Sequence, residues 1–158
     1  MIHPSIIKDY YYQHQVKNPI NFTLTQKQVV DGQWISDTVS EQNFRHFSNK
    51  LNRRVSGNAF RRYGRKLQMF VVRESNETQR HHLHCIIECP KFISPLDFVV
   101  LVQDCWISTR FGYRQVDFEV PSDEERRVGW VKYCLKRRTK EEYSSSIDWS
   151  NSTCFEPR

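Results

Sequence analysis

The chain has 158 residues, enough for one domain with a substantial core but not for a core plus a motor domain. Its formal net charge is +6, and most of the 24 basic residues lie in two acid-free blocks, at 42–73 and 126–140. Clustered positive charge of this kind is typical of proteins that bind phosphate backbones. No apolar run approaches the roughly 20 residues of a membrane span, and no signal peptide opens the chain. We therefore expect nucleic acid, and not a membrane, as the partner.

The five cysteines are odd in number and never spaced as C-x-x-C. We expect them to be free thiols, which predicts an intracellular, reducing compartment. None of the five glycines precedes a lysine, so a Walker-type ATPase is excluded.

The first predicted elements are a strand and a helix. Residues 20–25 alternate between apolar and polar, which predicts a strand with Thr23 and Thr25 turned away from the core. A helix should then begin at Ser40 and end at Gly57. The apolar residues of this helix recur at helical spacing: Phe44, Phe47, Leu51 and Val55.

Two further strands, at 67–74 and 82–88, are predicted to form a hairpin around a loop at 75–81. The whole is then an α+β fold, an antiparallel sheet with helices on one face and the other face open for a ligand. Residues 1–140 should form the single domain. The remaining predicted elements are a helix from Ser94 to about Trp106, a strand at 116–120, a helix from Ser122 to about Arg138, and a flexible polar tail at 141–158.

The strand at 82–88 carries the first candidate site. Its period of two places His82 and His84 on one face, about 7 Å apart, while Cys85 points to the other face. Two strand histidines alone are more often solvated or hydrogen-bonded than bound to metal. Glu74 makes a metal site the better interpretation. The predicted hairpin would bring its side chain beside the two histidines on the same face of the sheet. The three side chains predict a metal site, and such a mixed N/O set accepts Mn²⁺, Mg²⁺ or Zn²⁺.

The last predicted helix carries the second candidate site. On a helical wheel Tyr133 lies away from the apolar stripe and shares a basic surface with Trp130 and Lys136. A phenol in that position could meet a phosphate, and Lys136, one turn further on, could steady the phosphate or help move the phenol proton. The apolar stripe itself consists of Val128, Val131 and Leu135.

Three motifs now stand in one order along the chain: Phe-Thr-Leu-Thr at 22–25, His-Leu-His at 82–84 and Tyr-x-x-Lys at 133–136. Over about residues 20–140 this order resembles the HUH endonuclease superfamily, and within it the Rep-type initiators of rolling-circle replication. In that family a glutamate before the two histidines completes the metal site, which corresponds to Glu74.

The resemblance implies a sheet of about five strands and a tyrosine that attacks a phosphodiester of single-stranded DNA. The products would be a 5′-phosphotyrosine and a free 3′-OH, which can later be rejoined. It further implies Mg²⁺ or Mn²⁺, an origin hairpin or single strand as substrate, and a bacterial cytoplasm or, for a virus, a host nucleus. Viral relatives often carry a helicase domain after the nuclease, which this chain lacks, so we expect either a stand-alone initiator or a nuclease whose helicase is supplied separately. Candidate DNA contacts are Thr23, Thr25, Arg61, Arg62, Arg65, Lys66 and Arg137.

Two other functions remain open from the sequence. Single-tyrosine transposases resemble the same pattern, but they carry a glutamine shortly after the tyrosine, where this chain has Lys136 and Arg137. A non-catalytic RRM-like nucleic-acid-binding module would explain the basic blocks, but not the shared phase of Glu74, His82 and His84. A zinc hydrolase is disfavoured because no H-E-x-x-H pair is present.

Overall fold

The structure is a computed structural model that describes residues 4–13, 15–76, 79–134 and 146–156. In chain order its elements are α1 (Pro4–Gln13), β1 (Pro19–Gln26), β2 (Val29–Val30), β3 (Gln33–Trp34), α2 (Asp37–Ser56), α3 (Asn58–Tyr63), β4 (Met69–Asn76), β5 (Gln79–Glu88), α4 (Pro95–Ile107), β6 (Gly112–Glu119), α5 (Glu124–Cys134) and a 3₁₀ turn (Thr153–Phe155).

The predicted α+β class is confirmed: an antiparallel sheet in the order β4-β5-β1-β6 is combined with helices. Within the described residues this sheet has four strands, whereas about five were predicted; β2 and β3 form a separate small hairpin. The loop predicted at 75–81 is wrong, because β4 continues to Asn76 and β5 begins at Gln79. The extra residues lengthen the ladder that holds Glu74 opposite His82.

The main core lies between one face of the sheet and helices α2 and α4. Strand residues such as Phe22 and Leu83 pack there against Phe44, Phe47 and Trp106. The indole Nε1 of Trp106 donates to the backbone oxygen of Thr25 at 3.0 Å, which ties α4 to the middle of the sheet. Burying these large rings supplies most of the hydrophobic stabilisation of the fold.

The opposite face of the sheet is covered in part, so the prediction that this face is open for a ligand is wrong. A second cluster packs Tyr11 of α1 and Val131 of α5 against Phe70 and Val72 of β4. As a result, β1 is buried along almost its whole length on both faces. The sequence pattern of β1 shows apolar alternation on one side only, which is why the second layer was not expected.

The C-terminal segment, residues 146–156, forms part of this second layer, although a flexible tail was predicted there. Asp148 donates its backbone N–H to the oxygen of Val71 at 2.9 Å, and Val71 donates to Ser152 Oγ at 3.1 Å. Thr153 Oγ1 accepts from the N–H of Met69 at 3.1 Å. The hydroxyls thus satisfy the outer edge of β4, which would otherwise expose unpaired backbone groups. Residues 141–145 lie outside the described part.

Helix ends agree with the sequence at some positions and differ at others. Ser94 Oγ accepts from the N–H of Asp97 at 3.2 Å and Gly57 ends α2, as predicted. Helix α2, however, begins with Ser36 as its cap, and Ser40 is buried within the helix. At α5 the side chain of Asp123 accepts from the N–H of Arg126 at 2.9 Å, the role predicted for Ser122.

Candidate active site

A carboxylate and an imidazole meet between β4 and β5. The register pairs Glu74 with His82, and the side chain of Glu74 reaches diagonally to His84, where Oε2 lies 2.7 Å from Nε2. Both side chains are largely buried, at 14% exposed for Glu74 and 5% for His84. At this distance the two atoms form a short hydrogen bond in a poorly solvated place.

The second nitrogen of His84 is also held. Its Nδ1 lies 3.2 Å from Thr23 Oγ1, and the two residues are direct neighbours in the β1–β5 ladder. A metal-binding histidine is commonly oriented by a hydrogen bond at its other ring nitrogen, and the Thr23 hydroxyl can accept that bond. Thr23, predicted to contact DNA, therefore has a positioning contact with the imidazole in the structure.

His82 stands next to this pair on the same face and is half-buried. Burial, and then the neighbouring His84, lower the pKa of His82 below its usual range, while the carboxylates of Glu74 and Asp117 oppose that shift. A lowered pKa keeps the imidazole neutral near pH 7. A neutral ring has a free electron pair for a metal ion.

Asp117 is a site residue that the sequence reasoning missed. It lies on β6 in register with Thr23, on the face that carries His84. A signal for it was present, because Asp117 alternates with Val116 and Phe118 in the predicted strand 116–120. Thr25, in contrast, was predicted to contact DNA but is 1% exposed, because β1 is central and covered on both faces.

Glu74, His82 and His84 are the candidate metal ligands. Their donor atoms are of the types that bind divalent ions, and Glu74 and His84 already place two such atoms side by side. Among the described residues, however, no three His, Cys, Asp or Glu side chains converge as a formed metal site. The set fits a metal in its chemistry and strand register. A bound metal ion would take the place of the hydrogen in the bond between Glu74 and His84.

Helix α5 lies against this site. Val131 is fully buried in the second cluster, and the half-buried ring of Trp130 meets His84 edge-on, with centroids 5.8 Å apart. Val131 confirms part of the predicted apolar stripe, whereas Trp130 was expected on the exposed basic side. Tyr133 lies three residues after Trp130 in the same helix. Lys136 and Arg137 are outside the described residues.

The predicted basic contacts are exposed but are not brought to the histidines. Arg61 and Arg62 lie on α3, and Arg65 and Lys66 follow it. This region approaches the far end of β5, since Gln68 exchanges backbone and side-chain hydrogen bonds with Glu88 at 2.8–2.9 Å. Glu88 is six residues from His82, or about 20 Å along a strand.

The cysteines whose side chains the structure describes, Cys85, Cys89, Cys105 and Cys154, are buried and free, as predicted for those four. In the part of the chain that is described, no helix has the length and apolar character needed to cross a membrane. Comparisons with models of known families, with curated proteins and with solved structures found no match.

Proposed function

We propose that this protein is a metal-dependent endonuclease that nicks and rejoins single-stranded DNA through Tyr133, in the manner of Rep-type HUH initiators. The observation that carries the proposal is the contact of Glu74 with His84 beneath helix α5, which also bears Tyr133. The carboxylate and the two histidines come from the neighbouring strands β4 and β5, and the tyrosine comes from α5, which follows much later in the sequence. A single reaction centre requires that these side chains lie close together.

Each residue has a defined part in this proposal. Glu74, His82 and His84 would hold Mg²⁺ or Mn²⁺, and the bound ion would polarise the scissile phosphate and stabilise its charge. Thr23 orients His84 through Nδ1. The phenol oxygen of Tyr133 forms a bond to phosphorus while the bond from phosphorus to the 3′ oxygen breaks.

The proton balance of that step is simple. The phenol gives up its proton as it attacks, and the departing 3′ oxygen takes up a proton to become a hydroxyl. Lys136 is proposed to help this transfer or to steady the phosphate. The reverse reaction of the 3′-OH on the phosphotyrosine rejoins the strand, with the same bonds exchanged.

The resemblance supplies two further details of the proposal: a cell interior as the site of action, and an origin hairpin or single strand as substrate. The initiator would act either alone or with a helicase from another chain. A fifth strand is also implied by the family. Ile147 makes a single antiparallel bridge with Val72 on the outer side of β4, next to the four described strands.

A non-catalytic single-strand-binding module is the second candidate. It is favoured by one observation, that the three candidate metal ligands do not converge in the described structure. In that case the Glu74–His84 contact would be a structural hydrogen bond that joins two strands.

The two candidates are separated by a covalent-adduct assay. The protein is incubated with a pool of single-stranded oligonucleotides and Mn²⁺, then denatured and run on a gel. Because tyrosine would join the 5′ phosphate of the downstream fragment, a 3′ label should move to the protein and a 5′ label should not. Tyr133→Phe should lose the adduct, while the matched variants Tyr63→Phe and Tyr113→Phe should keep it. An adduct that survives in Tyr133→Phe overturns the assignment.

A further inference from the structure

Two grooves meet at the end of the sheet that lies away from Glu74. One, of about 460 Å³, is lined by Lys91 and Phe92, and the other, of about 660 Å³, is lined by Tyr63. Arg65 and Lys66 line both grooves, so the two grooves are adjacent. We call this region the aromatic–basic surface, made of Tyr63, Arg65, Lys66, Lys91 and Phe92.

The two rings of this surface are unusually exposed, Tyr63 at 80% and Phe92 at 75%. Tyr63 ends α3, and its place is set by Gly64, which adopts a left-handed conformation with φ 63°. The N–H of Gly64 donates to the oxygen of Phe60 at 3.1 Å and closes the helix end. The chain therefore holds one large ring in solvent on a defined turn, where it can stack on a flat ligand.

The charge beside these rings is mainly positive. Arg65, Lys66 and Lys91 are all exposed. Of the acids in the grooves, Glu88 accepts a hydrogen bond from the N–H of Gln68 at 2.8 Å, and Glu156 lies 3.9 Å from Lys66 as an exposed ion pair. An exposed pair of this kind contributes little, so a phosphate can displace Glu156 at small cost.

We propose that the aromatic–basic surface binds single-stranded nucleic acid, with bases stacked on Tyr63 and Phe92 and phosphates against the three cations. Stacking on exposed rings beside a cationic groove is how proteins hold unpaired strands, whereas a duplex hides the faces of its bases. The inference rests on the proposed function in one respect: the strand held here would be the one that Tyr133 cuts. Glu88, which lines both grooves, lies about 20 Å along β5 from His82.

The test uses the full chain with chelator present, so that no cutting occurs. Anisotropy of a labelled oligothymidine, longer than the roughly 4–16 nucleotides of a typical single-strand site, gives the Kd. Tyr63→Ala and Phe92→Ala should each weaken binding about tenfold, from the usual contribution of one stacked base. Tyr63→Phe and Phe92→Tyr should keep it. Trp34→Ala is the matched control, since Trp34 is also 70% exposed but lies on the β2–β3 hairpin.

The cations are tested by the salt dependence of the same Kd. Arg65→Ala and Lys91→Ala should each reduce the slope of log K against log salt by about 0.7, the contribution of one phosphate contact in a single strand. Arg114→Ala, which removes the same charge from β6, should leave the slope unchanged. Oligouridine in place of oligothymidine shows whether the sugar matters; tight binding of either strand supports the proposal.

Three results would overturn it: alanine at Tyr63 and Phe92 without effect on Kd, an equal loss in Trp34→Ala, or binding of duplex as tight as that of single strand. A failure of this proposal can be distinguished from a failure of the proposed nuclease activity. Covalent adducts with unchanged Kd in the alanine variants reject the surface alone. Ring-dependent binding without any adduct rejects the nuclease alone.

Discussion

The indole ring of Trp130 meets the imidazole of His84 edge-on, with 5.8 Å between ring centroids and 80° between the planes. This contact joins α5 to the strand that carries the two histidines. Val131, the next residue, is fully buried in the cluster below. The position of α5, and with it that of Tyr133 along the helix, therefore depends on the same residues that surround His84.

Replacing Trp130 by alanine should weaken both the fold and the proposed reaction. We expect a loss of about 2 kcal/mol in the free energy of unfolding, less than the roughly 3–5 kcal/mol of a fully buried ring. Adduct yield should fall because α5 loses its contact with His84. Urea unfolding and the adduct assay measure the two effects. Trp130→Phe keeps a ring and should preserve most of both; full adduct yield in the alanine variant would contradict the coupling.

Glu74→Gln should separate structure from metal binding. The amide can still hydrogen-bond His84, so the melting temperature without metal should change little. If the proposed metal site forms, Mn²⁺ should raise the melting temperature of the native protein. The neutral side chain of Glu74→Gln is a poor ligand, so this rise should disappear in the variant. Glu74→Ala is the contrasting variant, because it removes the hydrogen bond to a buried imidazole nitrogen and should cost about 1–3 kcal/mol. An unchanged Mn²⁺ response in Glu74→Gln would remove Glu74 from the metal set.

The lowered pKa of His82 predicts a pH effect on stability. The unfolded chain takes up a proton on this histidine near pH 6.5, but the folded protein resists protonation until a lower pH. The unfolded state then binds more protons, so this contribution to stability is fully present above about pH 6.5 and is lost as the pH falls below it. Urea unfolding at pH 7.5 and pH 5.5 should show a smaller difference in His82→Gln. Equal differences in both proteins would argue against the shift.

Cys154 can report on the C-terminal segment. Burial raises the pKa of its thiol to about 12, so almost no thiolate exists at pH 8 and iodoacetamide should react slowly. Asp148 holds the segment through Asn151 Nδ2 at 2.8 Å and Arg73 Nη1 at 3.7 Å. Asp148→Ala should release the segment and speed the labelling of Cys154, read by peptide mass spectrometry. Asp97→Ala removes an exposed carboxylate elsewhere and should not speed the labelling. Equal labelling rates in the two variants would contradict the role of Asp148 in holding the segment.

Gly112 and Gly129 make a matched pair for alanine substitution. A Cβ on Gly112 would lie 1.9 Å from the backbone oxygen of Trp106, so the chain must shift and stability should fall by more than 1 kcal/mol. A Cβ on Gly129 meets nothing within 4 Å. Because alanine favours helix by about 1 kcal/mol over glycine, Gly129→Ala should stabilise α5. Thermal unfolding measures both. Similar shifts of the same sign would show that the close approach at Gly112 is not rigid.

Local periodicity in the sequence was enough to determine the strands around 20–25 and 82–88 and the helix that buries Phe44, Phe47 and Leu51. It also placed Glu74 in phase with His82 and His84, since a hairpin needs only neighbouring residues to define its faces. These features depend on residues a few positions apart. The metal site, the catalytic role of Tyr133 and the assignment to the HUH superfamily do not follow from local periodicity, and they stay predictions.

The tertiary structure alone decided which surfaces are covered. Helix α5 lies over His84, the C-terminal segment closes the edge of β4, and Asp117 joins the histidine face from β6. Each of these contacts joins residues distant in the sequence, where period and composition carry no information about the partner. The flexible tail was predicted for the same reason. Its serine and threonine hydroxyls are typical of solvated segments, and only the fold places them against the edge of β4, whose backbone groups need partners.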